Sequence, residues 1–180
     1  MQVQTRQSPI SALVRGVIAG AAGSLAMSVF FAATKKLKLA PVPPRGAFDP
    51  PEAEQRVESE TQVIARRFIE KLMQRGPIAH KELGGELVHY AFGAGWGAAY
   101  GATATSLRGL ATLPGALAFG SVVWVVSDHV IVPGFRLAGW PQHYPPKNHI
   151  YALAAHLVYG AAMFAIFRLV SGRRPLQFLR

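Results

Sequence analysis

Cysteine is absent from the 180 residues. That excludes disulfides, iron–sulfur clusters and thiol nucleophiles, and it leaves the redox compartment open. Charge is scarce too: 16% of residues are charged against 51% apolar, a balance too greasy for an ordinary soluble domain. Acids are the scarcest class, nine against nineteen Lys and Arg. No HExxH motif, phosphate-binding loop, nucleophile elbow or dinucleotide fingerprint occurs. Enzyme chemistry therefore has no local support, and no catalytic residue is assigned.

What the chain does have is long stretches without charge. Nineteen residues lie between Arg15 and Lys35, 21 between Glu86 and Arg108, 19 between Arg108 and Asp128, and 18 between His149 and Arg168. Each approaches the roughly 20 residues that cross a hydrocarbon layer as a helix. The expected fold is all-α: a single membrane domain over 1–180, an antiparallel bundle of four transmembrane helices with spans at about 10–34, 87–107, 114–132 and 150–170. The first apolar segment is too long for a signal-peptide core and runs straight into Lys35 and Lys36, so it reads as an uncleaved span.

The net charge of +10 points to lipid rather than nucleic acid, because the basic residues flank apolar segments, as in Lys35, Lys36, Lys38 and Arg168, Arg173, Arg174. Between the first two spans, Asp49-Pro50-Pro51 opens an amphipathic helix over about 51–75 with Val57, Thr61, Ile64, Phe68 and Leu72 on one face, closed by Gly76-Pro77. It lies on the membrane surface, docks a partner, or packs over its own bundle.

Small residues recur every fourth position. Gly16, Gly20 and Ser24 do so in the first span, Gly93, Gly97 and Gly101 in the second with His89 on the same face, and Gly160 follows His156 in the fourth. Such faces let helix backbones approach closely in lipid.

With alternating spans, the end opposite the termini receives His89, Asp128 and His156 within roughly 4 to 10 Å of one surface, counting 1.5 Å per residue. His129 adjoins Asp128, the only carboxylate inside an apolar segment. Trp96 and Trp124 are about equally deep beneath this layer, where a buried indole N–H needs an acceptor such as Asp128 or a backbone carbonyl. A carboxylate in a span is disfavoured by roughly 2.5 to 3.5 kcal/mol on insertion scales, and pairing with a histidine relieves this. The cluster His89, Asp128, His129 and His156 is accordingly a proton-linked switch, a substrate contact, a metal site with His89, His129 and His156 as candidate ligands, or an interhelical hydrogen bond fixing the bundle's register. Ser127, Asp128 and His129 do not form a catalytic trio, since neighbours on a helix point about 100° apart.

The Gly-rich first span followed by Pro41-Val42-Pro43-Pro44-Arg45, the histidine opening the second span at His89, the His129 to Pro133 exit of the third, and Ala155-His156-Leu157-Val158-Tyr159-Gly160 together resemble the YagU-like family of bacterial inner-membrane proteins. The resemblance spans about two thirds of the chain and excludes Pro51 to Gly85. It implies a small polytopic inner-membrane protein and brings no substrate with it.

The side carrying the termini has seven Lys or Arg and no acid, whereas the opposite side has twelve with eight acids, ten of the twelve in one loop. Basic density near the membrane ends favours cytoplasmic termini. The expected role is a non-catalytic accessory or assembly subunit of a membrane complex, with the bilayer and a membrane-protein partner or a second copy as its contacts, no nucleic acid, and no cofactor assigned. The alternatives are a homo-oligomeric proton-linked permeation protein gated by the Asp/His layer, and a metal- or haem-binding membrane protein.

Overall fold

Ser8 begins the first helix by accepting a hydrogen bond from Ser11 N at 3.2 Å, with Pro9 in the first turn where a missing N–H costs nothing. This helix, α1, runs Pro9–Lys36 and stops where Lys38 turns left-handed at φ 56°. The structure is a computed structural model that describes residues 8–41, 81–135 and 140–172. The amphipathic segment expected at 51–75 lies outside the described residues, as do Arg45, Arg173 and Arg174.

Three further long helices follow: α2 over Lys81–Ala104, α3 over Leu113–Gly134 and α4 over Pro146–Val170, with no strand among the described residues. Thr112 caps α3 by accepting from Gly115 N at 3.2 Å, and Pro114 sits in its first turn. α1, α3 and α4 are long and apolar enough to cross a membrane. α2 falls short of them because glycines, tyrosines and His89 dilute its hydropathy. It also begins and ends earlier than the 87–107 expected, since Glu82, Gly84, Gly85 and Glu86 join the helix instead of preceding it.

α1 packs against α2 and α4, and α4 against α3. Glycine sets both tightest seams. A Cβ at Gly16 would strike the Gly97 carbonyl, one at Gly20 the Gly93 carbonyl, and one at Gly101 the Ala12 carbonyl. The register runs 12 to 101, 16 to 97 and 20 to 93, so α1 and α2 are antiparallel. Between α3 and α4, Gly120 lies against the His156 carbonyl and Gly160 against that of Ala116. All six glycines read from the sequence as packing positions thus lie at helix contacts within the chain.

The interior is small residues and aromatics: Ala19, Tyr100, Ala104, Ala116, Tyr159, Met163 and Phe167 form the core. The large aliphatic side chains face outward, among them Val14, Ile18, Leu25 and Val29 on α1, Leu87 on α2, Val122 and Val125 on α3, and Leu169 on α4. That distribution inverts a soluble bundle and suits a lipid surround. Phe119 and Phe167 pack edge-on against Tyr100 and fill the end near the termini. Among the described residues the opposite end is hollow.

α3 is not uniform. Val132 N–H bonds to the Ser127 carbonyl, five residues back, so Ser127–Ile131 form a π turn. Proline explains it. Pro133 has no N–H for the carbonyl of residue 129, and its ring presses on that carbonyl, so the turn before it widens. The helix then passes through Pro133 instead of ending at 132, and Phe135 N closes it on the Ile131 carbonyl at 3.0 Å.

Candidate functional site

The hollow end encloses a cavity of about 510 Å³ between all four helices. His89, Asp128, His129 and His156 all line it, as do Trp96 and Trp124. His149 joins them from the first turns of α4.

Each imidazole is held differently. His89 and Ser24 tie α2 to α1 reciprocally: His89 Nε2 donates to the Ser24 carbonyl at 3.3 Å and Ser24 Oγ to the His89 carbonyl at 3.4 Å. His149 Nε2 donates to the Pro141 carbonyl at 3.0 Å, pinning the proline-rich turn. His156 Nδ1 donates to the Ala152 carbonyl at 2.9 Å, one helical turn back. The neutral ring then carries its lone pair on Nε2, and that atom stands 4.0 Å from Asp128 Oδ1. Two acceptors face each other, so the pair is complementary only when one proton resides on either member.

His129 is placed by the π turn. Its ring meets Trp124 edge-on at 4.6 Å and lies 5.4 Å from His149. On a regular α-helix residues five apart diverge by about 140°, and the wide turn brings them together. Trp124 does not find the acceptor expected for its indole: Nε1 is buried without a hydrogen-bond partner among the described residues. Ser127 Oγ, His129 Nδ1 and Asn148 Oδ1 share that condition and line the same cavity.

The metal candidates His89, His129 and His156 surround the cavity without converging. Among the described residues no three His, Asp or Glu side chains are placed to hold a metal ion. Two of the three rings have already committed a nitrogen to a backbone carbonyl, His89 to that of Ser24 on α1 and His156 to that of Ala152 on its own helix, which leaves each one nitrogen for any other partner.

Several lining residues carry no signal in a hydropathy reading. Tyr159, 3% exposed, donates to the Gly93 carbonyl at 2.7 Å and lies across Gly23, joining α4 to α2 over α1. Its position three residues beyond His156 on the same helical face is the clue that was available. Tyr151 donates to Thr34 Oγ1 at 2.8 Å, since the Thr34 hydroxyl is itself given to the Phe30 carbonyl. Phe30, Phe31 and Tyr151 stack around that bond.

Compared with family models, curated proteins and solved structures, the chain matches none.

Proposed function

We propose that the chain is a four-span membrane protein that takes a small solute into the histidine-lined cavity in exchange for a proton, as a homo-oligomeric permeation protein. The observation that carries this reading is the His156–Asp128 pair. With Nδ1 committed to Ala152, a proton taken up by Nε2 or Oδ1 turns this 4.0 Å pair from two acceptors into attracting partners, and an entering solute competes for the same groups. Histidine is the side chain whose charge changes between about pH 5 and 8, which suits a gate.

α2 serves as the fourth span in this proposal: it is uncharged from 87 to 107 and its glycine face lies in the seam with α1. The bacterial inner membrane follows the YagU-like resemblance, and the basic density near the membrane ends puts the termini in the cytoplasm and the cavity at the periplasmic end. The accessory-subunit reading loses its main support, because the small-residue faces that would recruit a partner helix are spent on seams inside the chain.

Flux in liposomes tests the proposal. Vesicles holding purified protein and an internal pH dye should change internal pH when one member of a panel of small charged and uncharged solutes is added outside, empty vesicles should not, and Asp128→Asn and His156→Ala should abolish the difference. Equal rates with and without protein, together with foreign subunits that co-purify in mild detergent, would return the chain to the accessory role.

A further inference from the structure

We infer that the solute is an uncharged ring compound bearing carbonyl or hydroxyl oxygens, held by the π-turn wall of Trp124, Ser127 and His129; this rests on the solute-binding reading above and adds the chemical class.

Ser127 makes the strongest case. It is 5% exposed, it lines the cavity, and its hydroxyl has no partner among the described residues. Serine and threonine within helices usually turn the hydroxyl back to a carbonyl three or four residues earlier. Thr34, Thr103 and Ser121 do so at 2.8, 2.8 and 3.1 Å. Ser127 does not. Its hydroxyl is left to the cavity.

Trp124 Nε1 and His129 Nδ1 are buried and unpartnered on the same wall, among the described residues. Buried polar atoms without partners are uncommon in native proteins and mark places where water, an ion or a ligand completes the set. π turns concentrate at functional sites. Here the turn itself creates the wall, by swinging His129 against Trp124.

The chemistry of the lining selects the occupant. An indole N–H is a donor only, so it needs an acceptor oxygen, which a bare cation does not offer. The carboxylates of Asp128 and Glu86 line the same cavity and repel an anion. An uncharged oxygen-bearing molecule remains. Asn148 Oδ1, also unpartnered among the described residues, accepts from a hydroxyl where the solute has one. Phe31, Phe92, Trp96 and Tyr144 add aromatic surface to an otherwise aliphatic and small-residue lining. A flat ring matches such surfaces, and a volume of about 510 Å³ admits one of two fused rings.

Calorimetric titration of the full chain in mild detergent tests this, with 1,4-naphthoquinone as probe and naphthalene, tetraethylammonium and benzoate as comparisons. The chain has no thiol for the quinone to alkylate. Saturable one-to-one binding of naphthoquinone, tighter than any comparison compound, is expected. Ser127→Ala and Trp124→Phe should each weaken it about tenfold, the loss of one buried hydrogen bond, while naphthalene is unaffected by either. Ser127→Ala keeps shape and so isolates the hydroxyl, and unchanged elution and thermal midpoints verify folding of both variants.

No saturable binding, equal affinity in the variants, or preference for the cation or the anion would each overturn the inference. Repeating the titration in buffers of different ionisation enthalpy separates it from the proton link. Naphthoquinone binding with buffer-independent heat would uphold the solute class and refute the exchange with a proton.

Discussion

His156 presents Nε2 to Asp128 Oδ1 at 4.0 Å while its Nδ1–H is held by the Ala152 carbonyl at 2.9 Å. The backbone bond decides the tautomer, and the tautomer decides that the carboxylate meets a lone pair. A proton between them converts two repelling acceptors into a bound pair joining α3 to α4.

Asparagine at 128 offers an N–H to the same lone pair and needs no proton. Asp128→Asn should therefore melt within about 1 kcal/mol of wild type, whereas Asp128→Ala, which leaves His156 unanswered, should lose about 1–3 kcal/mol. Reversible unfolding in mixed micelles measures both. Equal stability for all three proteins would mean that the pair contributes nothing to the fold.

The α1–α2 seam makes a sharper comparison. A Cβ at Gly97 would meet the Gly16 carbonyl and the Gly20 backbone, while one at Gly95 meets nothing within 4 Å. Gly97→Ala should cost about 1–3 kcal/mol by prising the helices apart. Gly95→Ala, freed of glycine's helix penalty, should be neutral or stabilising by up to about 1 kcal/mol. The two thermal midpoints, read side by side, check this.

Pro133→Ala restores an N–H able to reach the carbonyl of residue 129. The π turn should relax toward regular helix, with Val132 N bonding to Asp128 O and His129 rotating away from Trp124. A structure of the variant reads this directly. Retention of the Ser127–Val132 bond would show that packing, not proline, sets the bulge.

Tyr159 reaches past α1 to the Gly93 carbonyl at 2.7 Å. Tyr159→Phe removes that tie and should lower stability by about 0.5–1.5 kcal/mol, measurable by denaturation in the same micelles.

The helices were legible because uncharged runs have a definite length, and the common depth of His89, Asp128 and His156 around one cavity was legible because 1.5 Å per residue fixes depth. The glycine register was legible for the same reason: position along a straight helix is arithmetic. Direction around the helix was legible only as far as the helix is regular. From Ser127 onward the 100° rule fails, and the expectations that α3 ends before Pro133 and that Trp124 finds an acceptor fail too. The metal reading rested on depth alone and did not see that His89 and His156 spend ring nitrogens on backbone carbonyls, one across to α1 and one a turn back on its own helix. The ties of Tyr159 and Tyr151 reach backbone or hydroxyl groups on other helices, partners that no sequence pattern marks.

Nitrogen-15 NMR of histidine, assigned to His156 by comparison with His156→Ala, tests the account at its centre. At about pH 7 to 8 the account predicts that Nδ1 carries a proton and that the Nε2 signal moves in Asp128→Asn, where the shared proton is replaced by an amide donor. A neutral ring protonated at Nε2 with Nδ1 bare would contradict it, since that tautomer donates to Asp128 directly and the pair would have no proton to exchange.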